Sequence, residues 1–206
     1  MADTVTLPGT GAVVGTDEVT IGGTPQQVQR IKLVDGSDGG TDLLPGSAAR
    51  GLSTDPRLKV VRLQVTPTIS TTPAYTAKDA VGGLMAFSNA VRASGGTCLL
   101  QALQLVDKGQ QMADLDLVLF DRSITAPTDN AIFAPSDTEL GYVVGVLPIA
   151  KGMYADLSTN SVAAFNDVGL ECVLNGTDLF GVLVARSTPT YTGTGDLVLT
   201  LTIAQD

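Results

Sequence analysis

Between positions 197 and 203, Leu197, Leu199, Leu201 and Ile203 alternate with Val198, Thr200 and Thr202, which predicts a half-buried β-strand. The densest apolar stretch, residues 98–121, predicts two more strands, over 98–106 and 115–120. Leu115, Leu117 and Leu119 share one phase in the second. In the first, Leu99, Leu100, Leu103 and Leu105 hold no single phase, and a helix can also be drawn through them. Val106-Asp107 with Gly109 behind it favours a strand entering a turn. Joined by the polar link Asp107-Lys108-Gly109-Gln110-Gln111, the two strands read as a central hairpin. Residues 57–65 add a strand with Val61, Leu63 and Val65 in phase. Gly82-Gly83 argues against a helix over 80–89. Residues 142–149 read as a strand broken by Gly145 and Pro148, and 169–174 and 179–186 as strands around an Asn175-Gly176 turn. The one clear helix start is Ser136-Asp137-Thr138-Glu139, a capping box with Gly141 close behind. About eight strands with frequent turns over residues 57–206 predict an all-β fold, an antiparallel β-sandwich of jelly-roll type.

Residues 1–56 pattern differently. Short extended pieces (Val5-Thr6-Leu7, Ala12-Val13-Val14) lead into a hairpin, 18–21 and 26–34, around Gly22-Gly23-Thr24-Pro25. Val28, Arg30, Lys32 and Val34 fall on one face of its second strand, and neither face is strongly apolar. Such a hairpin buries too little to be stable alone. We therefore read 1–56 as an extended docking arm with a small β-hairpin, and 57–206 as the main domain.

Composition sharpens this division. The chain has 206 residues, 44% of them hydrophobic and 16% charged, with a net charge of −9. The charge is uneven: residues 1–109 carry nine acidic and nine basic side chains, and 110–206 carry twelve acidic ones against Arg122, Lys151 and Arg186. An acidic half argues against nucleic acid and anionic membranes as partners. No secretion signal and no apolar run long enough to span a bilayer is read from the sequence. Cys98 and Cys172 have neither a disulfide-framework nor a zinc spacing and sit among apolar residues, so buried thiols are expected, with a cross-sheet disulfide as the alternative.

The chain contains no histidine, which removes the commonest general base and the Ser-His and Cys-His pairs. No Ser-x-x-Lys pattern and no phosphate loop is present. Most of the aspartates adjoin turn residues. Asp35, Asp38 and Asp42 have the composition of a calcium loop, but Gly46 stands where a bidentate acid belongs, so turn chemistry is the better reading and no cofactor is expected. Asn175-Gly176-Thr177 fits a glycosylation sequon and is ascribed to a turn. The chain reads as a surface-presenting protein rather than an enzyme. Its candidate partner-contact residues are Val28, Arg30 and Lys32 on the arm, Arg57 and Lys59 where the main domain opens, and Lys108 in the polar link.

Two stretches carry a resemblance. Residues 17–42 (DEVTIGGTPQQVQRIKLVDGSDGGTD) resemble a short N-terminal module of tailed-bacteriophage virion structural proteins. Residues 74–206, from AYTAKDAVGG through LVLFD, APTDNAIFAPSD and GVLVARSTPTYT to LTIAQD, are similar to the main domain of phage head and tail structural proteins. The match is one of pattern, without a catalytic motif. It implies a capsid decoration (cement) protein, made in the host cytoplasm, seated on the outer surface of the virion against the major capsid protein and self-associating as a homotrimer. Tail or baseplate proteins share these modules. A carbohydrate- or receptor-binding sandwich is a further alternative, weakened by 4% aromatic content and the lack of Trp.

Overall fold

A computed structural model describes the backbone of residues 3–6, 13–21, 24–29 and 59–205, with side chains for 59–205. The chain divides into two compact units, Met1–Pro56 and Arg57–Asp206. In the first, β1 (Asp3–Thr6), β2 (Val13–Ile21) and β3 (Thr24–Gln29) form an antiparallel sheet in the order β1-β2-β3. The expected hairpin is present as β2·β3, but Thr24 and Pro25, expected in the turn, belong to the strand and pair with Ile21 and Thr20, and residues 30–34 of the expected second strand lie outside the described residues.

The second unit is built from β4 (Lys59–Val65), β5 (Ala80–Phe87), β6 (Thr97–Asp107), β7 (Leu115–Phe120), a one-turn helix α1 (Asp137–Leu140), β8 (Val143–Ile149), β9 (Tyr154–Asp156), β10 (Ser161–Phe165), β11 (Leu170–Val173), β12 (Leu179–Ala185) and β13 (Leu197–Gln205). A 3-10 turn, Lys151–Met153, leads into β9. The strands form two antiparallel sheets, β4-β13-β6-β10-β9 with β11 also on β6, and β5-β12-β7-β8. The unit is all-β. The two sheets share one core, in which Leu100, Leu103, Leu105, Leu199, Leu201 and Ile203 of the larger sheet meet Met85, Leu115, Leu117, Leu119 and Leu183 of the smaller. At about 1.5–3 kcal/mol per fully buried aliphatic side chain, this layer drives the assembly of the two sheets.

The expected central hairpin is not one. β6 pairs with β13, β10 and β11, whereas β7 pairs with β12 and β8 in the other sheet. The polar link is therefore a crossing between sheets. The same holds at Asn175-Gly176, where β11 and β12 lie in different sheets and neither residue has a positive φ. The mixed phase of β6 also has a cause. Its ladder with β13 shifts between Thr202 and Ile203, opposite Ala102 and Leu100, so Gln101 is an extra residue. This bulge moves the buried set from Cys98 and Leu100 to Leu103, Leu105 and Asp107. β10 and β11 separate at the same level, with the Val168 N–H bonded to the Gln101 carbonyl.

β5 contains a second irregularity. Val182 faces Leu84 and Leu183 faces Val81, leaving Gly82 and Gly83 bulged with φ of 80° and 69°. A Cβ on Gly82 would stand 2.3 Å from Pro67 Cβ, so both space and backbone demand glycine there. β8 is paired through Gly145 and Pro148 rather than broken, with a bulge opposite Leu119/Phe120. It is an edge strand, where proline is tolerated. β13, expected to be half-buried, is buried on both faces except at Thr202. It is flanked by β4 and β6, and on its outer face Gln64 and Gln104 sit either side of Thr200, with Arg62 hydrogen-bonded to Gln104.

The Thr/Ser/Pro-rich connection after β4 contributes to the core, since Ile69 and Tyr75 are each 1% exposed. Asp129 fastens it. Its carboxylate accepts from Ser70 Oγ (2.5 Å), Tyr75 OH (2.7 Å) and the Gly82 N–H (2.6 Å), while Tyr75 OH accepts from the Ser70 N–H. Burial, with the adjoining Asp129 carboxylate, pushes the Tyr75 hydroxyl pKa upward.

Candidate functional site

The smaller sheet is apolar on both faces. In β7 the residues between the core leucines are Asp116, Val118 and Phe120, and in β12 the corresponding outward set is Phe180, Val182 and Val184. Register places Val184 beside Asp116, Val182 beside Val118, Val118 beside Val146, and Phe120 beside Val143. A second apolar cluster results, containing Ala80, Phe120, Ile124, Val182 and Val184, with Leu84, Val118, Phe133, Tyr142, Val143 and Phe180 packed against it.

The chain covers half of this face. Residues 121–142 return across the Phe120 end, with the Phe133 ring edge-on to Phe120 at 6.3 Å and Ile124 buried. Arg122 stacks over Tyr142 at 4.3 Å and pairs with Asp121, whose carboxylate raises the Arg122 pKa. The capping box holds this cover in shape. Ser136 Oγ accepts from the Glu139 N–H, and the Glu139 carboxylate accepts from the Ser136 and Thr125 N–H groups at 2.8 and 2.7 Å. Those bonds lower the Glu139 pKa from 4.5 to about 2.

The other half stays open. A groove of about 490 Å³ is lined by Val118, Phe133, Leu140, Val143, Val146 and Val184, with Lys78 and the Asp116–Arg186 ion pair on its polar side. Val146 and Leu140 are 50% and 53% exposed. The arrangement offers apolar area, one edge strand and a few charges of both signs, which suits a protein surface.

Of the six residues singled out from sequence, the structure describes the side chains of two, Lys59 and Lys108. Val28, Arg30, Lys32 and Arg57 lie outside the residues whose side chains are described, as do Asp35, Asp38 and Asp42 of the calcium-loop reading. Lys59 is exposed at the start of β4, opposite Gln205. Lys108 follows Asp107, which lies opposite Leu197. The two lysines thus mark opposite ends of β13, about 27 Å apart at 3.4 Å per residue. The Lys108 ammonium donates to the Gly195 carbonyl at 3.1 Å, and the Gln110 side chain donates to Asp156 at 2.6 Å, so the link is pinned on both sides. The groove residues were missed, although LDLVLF, VVGVLPI and LFGVLVA are apolar in both phases. That pattern is the signal of a sheet with two buried or bound faces.

Other features are accounted for locally. Cys98 and Cys172 are buried thiols opposite one another on β6 and β11, hence in one sheet rather than across two, beside a cavity of about 520 Å³. Its hydrogen bond to Cys98, followed by burial, raises the Cys172 pKa. Among the described residues, no group of three or more His, Cys, Asp or Glu side chains is arranged to hold a metal ion. No helix among them is long and apolar enough to cross a membrane.

No protein-family model matches the chain, and no curated protein matches it. Among solved structures it is similar to that of the infectious bursal disease virus Gx strain, with 11% identity and a TM-score of 0.21 over 97% of this chain and 47% of that one. This chain therefore spans about half the length of the chain it matches. A likeness of that size assigns neither fold nor function.

Proposed function

We propose that the main domain is a jelly roll and that the protein is a non-enzymatic virion structural protein, one that binds the outside of a bacteriophage capsid and stabilises it as a head decoration or cement protein. The observation that carries this reading is the half-covered apolar face of the β5-β12-β7-β8 sheet, a surface built for protein contact on an otherwise acidic body. The strand order supports the jelly-roll wiring. With β10 and β11 taken as one interrupted strand and the short β9 set aside, the first strand pairs with the eighth, the second with the seventh, the third with the sixth and the fourth with the fifth. That is one long antiparallel ribbon folded over on itself, an architecture used by viral capsid and lectin domains.

In this reading the partner is the major capsid protein, the protein self-associates as a homotrimer, and neither nucleic acid nor membrane is engaged. The resemblance of residues 17–42 and 74–206 to phage virion proteins supports the same assignment. The near-neutral N-terminal half faces the shell and the acidic half faces solvent. Residues 1–56 act as a docking arm that adds strands to a neighbour, with Val28, Arg30, Lys32, Arg57, Lys59 and Lys108 as contact candidates.

Cosedimentation of the full chain with capsids that lack it tests the proposal. Saturable binding, added density on the outer shell and a higher particle disruption temperature are expected. Binding only to tails or baseplates would move the protein there, and binding to neither would refute the assignment. Undiminished capsid binding after removal of residues 1–56 would refute the role of the arm.

A further inference from the structure

Among the described residues, three buried side-chain oxygens lack a hydrogen-bond partner: Asp107 Oδ1, Ser161 Oγ and Tyr191 OH. Asp107 and Ser161 are fully buried and Tyr191 is 1% exposed. The fold brings them together. Asp107 lies directly opposite Ser161 across β6·β10, which sets their Cβ atoms about 5 Å apart on one face. A Cβ placed on Gly109 would stand 3.0 Å from Asp196 Oδ2, 3.4 Å from the edge of the Tyr191 ring and 3.5 Å from Asp107 Oδ1, so the ring packs beside both carboxylates; burial and the nearby Asp107 charge push the Tyr191 hydroxyl pKa upward. A buried polar group without a partner is costly, and three on neighbouring segments call for one they can share.

We infer that these three oxygens form a binding site for a single ordered water molecule, which donates to Asp107 Oδ1 and Ser161 Oγ and accepts from the Tyr191 hydroxyl. Three partners is the usual complement of a buried water. A divalent cation takes six or more oxygens, more than converge here. Asp107 is the pivot. Its second oxygen, Oδ2, accepts from the Met112 N–H at 2.8 Å and so closes the link that carries Lys108 and Gln110. Burial raises the Asp107 pKa, while backbone N–H groups from Met112, Gln111 and Gly109 pull it down. The water ties β6, β10 and the segment before β13 to that link, and it fixes the carboxylate that shapes it.

A high-resolution crystal structure of the full chain decides the matter. One density peak about 2.6–3.2 Å from all three oxygens is expected. Direct bonding among the three, or a peak with further oxygens at about 2.3–2.6 Å as around a metal ion, overturns the inference. In solution, Ser161→Ala, Tyr191→Phe and the double variant are compared by thermal unfolding. A shared water makes the double loss fall short of the sum of the single losses. Strictly additive losses overturn it, and if a variant does not fold, the wild-type crystal remains the test.

Discussion

Removing the Asp129 carboxylate should be among the most damaging single changes outside the core. Asp129 joins three parts of the main domain: the connection after β4 through Ser70 and Tyr75, the β5 bulge through Gly82, and its own loop. Each is a hydrogen bond to a carboxylate, worth about 1.5–3 kcal/mol net. The simple sum overstates the effect, because Asp129 is only part-buried and water can replace some of what is lost. Tyr75, however, is 1% exposed and would keep its hydroxyl inside with fewer partners. We expect Asp129→Ala to cost about 3 kcal/mol, lowering the Tm by roughly 6–12 °C for a domain of this size. Asp129→Asn should recover less than half of that, since its amide NH2 would face donors. Urea unfolding measures the loss. A cycle with Tyr75→Phe should give a coupling of about 1 kcal/mol or more. A loss below about 1 kcal/mol for Asp129→Ala, or no coupling to Tyr75, would refute the fastening role.

The remaining predictions concern the cover, the groove and the thiols. Glu139 titrates near 2 when folded against 4.5 when unfolded, so its contribution is complete above about pH 4.5 and lost as pH falls towards 2; an NMR titration midpoint near 4.5 would contradict this. Ser136→Ala should destabilise the α1 cap by about 1 kcal/mol, read as faster hydrogen exchange at Glu139. Val146→Asp should leave the unfolding free energy within about 0.5 kcal/mol, because the residue is 50% exposed, yet it should reduce capsid binding or self-association at least tenfold; unchanged binding would remove the groove from the proposed interface. Cys98 and Cys172 should resist aromatic disulfide reagents in the native protein and react only as it unfolds, and rapid native labelling would contradict their burial.

What the sequence made legible was the faces of strands rather than their partners. Alternation marks which side of residues 197–203 is core, and Val61, Leu63 and Val65 face inward as their spacing implies. Alternation is silent on whether the chain then returns in the same sheet or crosses to the other. The polar link after β6 and the Asn175-Gly176 turn look alike in either case, and both cross. The confused phase of β6 was real information, since it recorded the bulge at Gln101. The groove went unseen because an outward Val118 or Val146 has the same chemistry as an inward one, and exposure depends on how far residues 121–142 reach across the sheet. Ser136–Glu139 was readable because a capping box is a contact between residues three apart and needs no tertiary knowledge.

Pairing of β4 with β13 sets Lys59 directly opposite Gln205, so the main domain's first and last strands have their outer ends side by side. A short bridge between those positions would close the domain into a ring, which could be reopened at an exposed turn such as the one near Ser158. The same adjacency fixes the mechanical response. A load applied between positions 59 and 205 would peel β4 away one pair at a time, as a zipper opens, instead of shearing the whole ladder at once. Whatever is fused after Gln205 would emerge beside the point where residues 1–58 enter.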